Sequence, residues 1–236
     1  MIKAEVLRKQ KLNLKIRRSI KTMKRLFLST LILLIISGFA YSQNQPADYE
    51  TQSFRKIQDK SIRDRQVSPL LPKDFENFKG LNYFAFDINY RIKASFVKTV
   101  EKKSFLMPTS TGGSRKYLKI GDLSFKLDGQ EFSLGAYIYE YAPDHPKAKE
   151  EIRDLFVPFK DLTNGEATYS AGRYLYLRMP KEGEEAILDF NLSHNPNCAY
   201  NSNFACTLPP KDNFLQVEIK AGEKVFKVAV GSSSKN

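Results

Sequence analysis

Two runs of alternating apolar residues in this chain meet at an Asp-Gly pair, and that junction limits the fold more than any other feature. DLSFKLDG, ending at Gly129, carries Leu123, Phe125 and Leu127 at every second position; EFSLGAYIY, from Glu131, carries Phe132, Leu134, Ala136 and Ile138. A period of two sends one set of side chains to one face of an extended chain. Asp-Gly accepts the positive φ angles of a two-residue hairpin turn. An antiparallel hairpin with one buried face is therefore predicted. The same period recurs in RIKASFVK (Ile92, Ala94, Phe96), in RYLYLRM from Arg173, in Ala186 to Phe190 and in Leu215 to Ile219, with KVFKVAV from Lys224 as an edge strand. Asn164-Gly165 reads as a turn, and the glycines of TSTGGSRKY, from Thr109, as a hairpin loop. Short strands separated by turn signals predict a mainly β protein, an antiparallel sandwich or partly open barrel.

Before the strands, residues 47–65 are polar with a sparse apolar stripe of Tyr49, Phe54, Ile57 and Ile62, behind the start signals Pro46 and Asp48. That pattern predicts one N-terminal helix packed on the outside of the core. VSPLLPKDFENFKG, from Val67, reads as a connector. The expected organisation is a leader over 1–42, a helix over 43–66 and one β-rich domain over 67–236.

The leader carries its own chemistry. From Met23 the chain reads MKRLFLSTLILLIISGFAYSQNQ: basic residues, an apolar run too short for a comfortable span, then the small-residue exit Ala40-Tyr41-Ser42. This is the form of a secretory signal peptide, with cleavage expected after Ser42 and Met23 as the expected true start. A periplasmic or secreted location follows, with no stable membrane span after cleavage. The whole chain carries +12, but residues 1–42 hold ten Lys and Arg against one Glu, so the rest is only about +3. With those charges evenly spread, nucleic-acid binding is not expected.

DFNLSHNPNCAYNSNFACTLPPKDNFL, from Asp189, holds both cysteines, His194 and the chain's Pro-Pro pair. Two cysteines in an exported chain predict a Cys198–Cys206 disulfide, worth roughly 2 to 3 kcal/mol through the lost freedom of the unfolded chain. The rival, His194 with both cysteines as a three-ligand zinc site, matches no common spacing. No metal or cofactor is expected. Prolines that donate no amide hydrogen make Leu208-Pro209-Pro210 an ordered loop rather than a central strand.

Several segments carry a family resemblance: GLNYFAFDINYRI, MPTSTGGSRKYLKIGDLSFKLDG, LFVPFKDLTNGEATYSAGRYLYL, and the cysteine stretch with its trailing IKAGE. Together they resemble a bacterial family known as domain of unknown function 1684, from about Leu71 to Glu223. The resemblance implies a compact, mainly β domain, secreted in some members, and assigns no activity. It also implies an aromatic residue where this chain has His194, which argues against an indispensable role for that histidine.

Catalytic motifs are missing: no G-x-S-x-G elbow, no H-E-x-x-H, no Gly-rich loop ahead of a helix. The residues singled out are Arg173, whose guanidinium can grip a carboxylate bidentately, Tyr169, Asp161, Asp189, Asn191 and His194. Arg173 has two readings, contact with a small polar or anionic ligand or an internal ion pair with Asp161 or Asp189. Three functions fit: a non-catalytic small-ligand-binding module of the cell envelope, its pocket lined by Tyr169, Tyr174, Tyr176 and Phe190; a hydrolase using Asp161, Asp189 or His194; and an envelope scaffold that binds another protein.

Overall fold

The computed structural model describes residues 47–100, 103–150, 154–181 and 184–227. The expected signal peptide and its cleavage point lie outside the described residues. Seven antiparallel strands form one sheet: β1 (Arg91–Lys98), β2 (Ser104–Pro108), β3 (Ser114–Leu127), β4 (Gln130–Tyr139), β5 (Asp154–Phe159), β6 (Arg173–Arg178) and β7 (Ala186–Asp189). The order is β6-β5-β4-β3-β1-β7, with β2 added beside β3. The sheet nearly closes into a barrel. Just past β7, Tyr174 and His194 exchange both backbone hydrogen bonds, at 2.8 and 3.0 Å, which stitches β6 to the far end of the sheet.

The Asp-Gly hairpin stands as read. Asp128 and Gly129 take φ of 50° and 80°, and Leu127 pairs with Gln130. Leu123, Phe125, Leu127, Leu134 and Ala136 from this hairpin enter the main core, where Ile92, Ala94, Leu175, Leu188 and Phe190 meet them. Burial alternates along β1, β6 and the second half of β3, as a barrel-like sheet with one face inward requires, whereas β5 is buried on both faces from Leu155 to Phe159. The Thr109–Gly113 loop joins β2 to β3, held by Thr109 N–H on the Gly113 carbonyl at 2.8 Å.

One helix of substantial length, α1 (Ala47–Arg63), packs outside the sheet. Its inner face differs from the expected stripe: Tyr49 and Ile57 are exposed, whereas Thr51 and Ile62 are buried and Phe54, Arg55 and Gln58 are partly so. Positions 51, 54, 55, 58 and 62 share a face at helical spacing. That face meets rings and apolar groups: Phe54 lies near His194, Arg55 stands over the Tyr83 ring, and Ile62 joins Leu70 and Tyr200. A short helix, α2 (Pro72–Glu76), interrupts the segment read as connector.

Leu215 to Ile219 does not form the expected strand. Leu215 and Ile219 are buried, and backbone pairing is partial: Leu215 N–H donates to the Lys160 carbonyl at 2.9 Å and Leu162 N–H to the Val217 carbonyl at 3.1 Å, but at Ile219 side chains take over, its N–H donating to Asp161 Oδ2 at 2.8 Å and its carbonyl accepting from Arg173 at 2.9 Å. Of KVFKVAV, only residues 224–227 are described, and these are irregular.

Candidate functional site

The residues singled out from sequence fall into four separate places. Arg173 and Asp161 lie in the closed interior. Arg173 is fully buried, and its Nη2 donates to Asp161 Oδ1 at 3.2 Å; Nη1 donates to the carbonyls of Ala221 and of Glu223, the latter at 3.4 Å. The guanidinium stands over the Phe159 ring, 5.2 Å from its centroid. Asp161 also accepts from the Thr163 hydroxyl at 2.7 Å and from two backbone amides. Arg173 is thus an internal clamp that ties β6 to the strandless segment 219–223. Its backbone neighbour is part of the device: Gly172 has φ of 99°, and a Cβ there would lie 2.5 Å from the Phe159 carbonyl oxygen.

Asp189 and Asn191 are likewise engaged, in a second place. Asp189 pairs with Arg91 at 2.8 Å and accepts from both the amide and the side chain of Asn191. Asn191 exchanges two hydrogen bonds with the Asp87 backbone, standing in for a missing ladder partner. Tyr169 occupies a third place, its hydroxyl donating to the Cys198 carbonyl at 3.4 Å and to Cys198 Sγ at 3.5 Å. Cys198 and Cys206 are free, buried thiols in this structure rather than the expected disulfide. The Cys198 amide donates to Cys206 Sγ at 3.0 Å. The two thiols share a hydrogen bond that favours ionisation of Cys198 and opposes that of Cys206. Among the described residues, no group of three or more His, Cys, Asp or Glu is placed to hold a metal ion.

His194 occupies the fourth place, and this one is concave. A cleft of about 380 Å³ lies between one end of the barrel and the face of α1. Its wall is a run of rings: Tyr117 stacks on Phe156 at 5.4 Å between centroids, Phe156 meets Tyr174 at 4.8 Å and Tyr176 at 5.2 Å, and Tyr176 stacks on His194 at 5.8 Å. The pairing of β5 with β6 sets Phe156 directly opposite Tyr176. Gln58, Ser61 and Ile62 of α1 form the opposite side, and Phe54 approaches His194 at 5.8 Å. Arg115, Asn195, Asn197 and Thr207 add polar groups to the lining, with Ala205 and Cys206 beside them. The phenols are held rather than loose: Tyr174 donates to the Thr207 carbonyl at 2.6 Å, and Tyr117 shares a 2.9 Å hydrogen bond with the Thr207 hydroxyl.

Among the described residues, His194 is not paired as a general base. Burial pushes His194 down to about 4, so its imidazole is neutral near pH 7, and the hydrogen bond recorded for the ring runs from Nδ1 to the Leu192 carbonyl at 3.4 Å. Among the described residues, no hydrogen bond or ion pair joins His194 to Asp161 or Asp189. Tyr174 and Tyr176, expected to line a pocket, do so; Tyr169 and Phe190 do not.

Much of the site escaped the sequence reading, Arg115, Asn195 and Tyr200 among it. Arg115 reaches the lining from the start of β3, in a segment that the sequence marked only as a hairpin loop. Asn195 and Tyr200 are anchored from behind by Glu223, a fully buried carboxyl that accepts from the Asn195 amide (2.9 Å), the Asn195 side chain (2.8 Å) and the Tyr200 hydroxyl (2.7 Å). Burial outweighs these donors and pushes Glu223 up to about 7. Gly222, with φ of 78°, allows this approach, since a Cβ there would fall 2.0 Å from Ser193 Oγ.

A family model described as a protein of unknown function, DUF1684, matches residues 76–224. It takes in most of the barrel and stops short of α1. The solution structure of an uncharacterized protein from gene locus rrnAC0354 of Haloarcula marismortui is similar at 37% identity, with a TM-score of 0.60, covering 75% of this chain and 94% of that one. No curated protein matches.

Proposed function

This chain belongs to the DUF1684 family, and from that premise we propose that it is an exported, non-catalytic module that binds a small ligand in the cleft between the aromatic wall and α1. The observation that carries the reading is the cleft itself. It has the size of a small-ligand site, ordered rings on one side, and a few polar groups at fixed positions on the other. Aromatic walls bind planar ligands through stacking and area burial. The neutral imidazole and hydrogen-bonded phenols suit holding a molecule better than transforming it. Export is supported by the signal-like leader; among the described residues, no helix is long and apolar enough to cross a membrane.

The test is occupancy of the cleft. Anilinonaphthalene sulfonate should brighten on the purified chain with saturable one-to-one stoichiometry, and Ala205→Phe, which fills the cleft from its lining, should abolish the signal without lowering the melting temperature by more than a few degrees. Equal brightening of both proteins would remove the cleft as the site.

A further inference from the structure

The ligand's chemistry is legible in the charges around the cleft. Among the described residues that line it, Arg115 is the one charged side chain; the rest are aromatic, aliphatic, amide, hydroxyl or thiol groups, with His194 as a neutral ring. No carboxylate lines the space. Glu223 stands behind Asn195 and Tyr200, its oxygens turned to three protein donors. Arg115 is exposed and has no salt-bridge partner among the described residues; its side chain meets the Tyr117 hydroxyl, a neutral partner that leaves its charge uncompensated for an incoming anion. It leaves β3 two residues before Tyr117, the first ring of the wall. Its charge acts inward as well, opposing the rise that burial causes at the Tyr117 hydroxyl and the Cys206 thiol.

Resting on the cleft reading above, we infer that the ligand is a planar aromatic monoanion, an aryl carboxylate or aryl sulfonate, with its ring against Phe156, Tyr176 and His194 and its anionic group on Arg115. A cation would meet Arg115 with no compensating acid. A polyanion such as a nucleotide would bring more charge than one guanidinium balances. A volume of about 380 Å³ accepts a molecule of one or two rings. Arg115 is then the specificity-determining residue, since its planar fork fits a carboxylate or sulfonate bidentately.

Three naphthalenes matched in shape separate the terms: naphthoate, naphthylmethanol and naphthylmethylamine, each titrated by calorimetry into the purified chain, its Arg115→Gln and Arg115→Lys variants and the Ala205→Phe variant. Naphthoate should bind the unmodified chain about tenfold or more tighter than the alcohol, with the amine weakest. Arg115→Gln should erase the preference by weakening naphthoate alone, and Arg115→Lys should restore part of it. Because Arg115 is exposed, neither variant disturbs the core. Equal binding of all three compounds, unchanged in Arg115→Gln and lost in Ala205→Phe, would overturn the charge assignment and leave the binding module standing. Binding indifferent to Ala205→Phe, or absent for all three compounds, would overturn both.

Discussion

Replacing Arg173 by Met distinguishes an internal clamp from a ligand contact. The guanidinium makes four hydrogen bonds inside the protein, to Asp161 and to the carbonyls of Ile219, Ala221 and Glu223, and none of its surface reaches solvent. Met fills much of the same space but donates nothing. Three carbonyls lose a donor, and the Asp161 carboxylate keeps only its Thr163 and Ile219 partners. Breaking one side of a buried ion pair costs about 3 to 5 kcal/mol. For a domain of this size that lowers the melting temperature by roughly 6 to 20 °C. Urea unfolding should give the same loss with the m-value unchanged. Asp161→Asn keeps an acceptor facing Arg173 and should cost less. The double variant should be less destabilised than the sum of the singles, with a coupling of roughly 2 kcal/mol between contacting groups. Dye binding should persist in the folded Arg173→Met protein, because Arg173 does not line the cleft. A loss below about 1 kcal/mol, additive with Asp161→Asn, would refute the clamp. Lost dye binding at full stability would return Arg173 to the ligand.

Two buried groups next to the cleft should titrate with opposite signs. Glu223 is raised from 4.5 to about 7, so the native state holds its proton longer and stability falls as pH rises from about 4.5 to 7. His194 is lowered from 6.5 to about 4, so the unfolded state gains the proton first and stability rises over about pH 4 to 6.5. Each shift corresponds to about 3 kcal/mol, an upper bound for His194 because part of its surface is open. The native chain should therefore show a nearly flat profile here, Glu223→Gln a rising one and His194→Phe a falling one; parallel profiles for all three in urea melts would contradict the assignment. Gly222→Ala places a methyl group against Ser193 Oγ and at a left-handed φ, and should cost several kcal/mol or prevent folding, read by expression and circular dichroism; a native-like melt would show that the 193–223 contact is soft. The proposed export implies that the two thiols, free in this structure, oxidise to a disulfide afterwards: chain exported by its own leader and unfolded without reductant should have no titratable thiol, because the two sulfurs are already neighbours. Two free thiols would argue against an oxidising compartment.

Elements governed by neighbouring residues were the legible ones. Asp128-Gly129 specifies its turn through local φ angles, and the flanking alternation specifies which face is buried, so the β3–β4 hairpin follows from eighteen consecutive residues. Leu215, Val217 and Ile219 alternate just as regularly, yet only the first two find backbone partners, Lys160 and Leu162, while Ile219 is met by the side chains of Asp161 and Arg173, more than forty residues earlier in the chain. A periodicity cannot report a side chain that replaces a ladder. The choice between pairing and ligand contact at Arg173 likewise turns on burial, which the residue type leaves open. The cleft was the least legible part. Tyr174 and Tyr176 were named from their strand, but the wall is completed by Tyr117 and Phe156 from two other strands, by Asn195 to Thr207 from a loop, and by α1 from before the barrel. Arg115 gained its meaning only when β2 and β3 paired and brought the start of β3 to the cleft mouth.

The most direct measurement is a set of amide and aromatic NMR shifts on the purified chain titrated with naphthoate. Perturbations should concentrate on Arg115, Tyr117, Phe156, Tyr176, His194 and the Gln58–Ile62 turn of α1, saturating together at one equivalent. Shifts confined to other faces of the barrel, or no shifts at millimolar naphthoate, would contradict a binding cleft beneath α1.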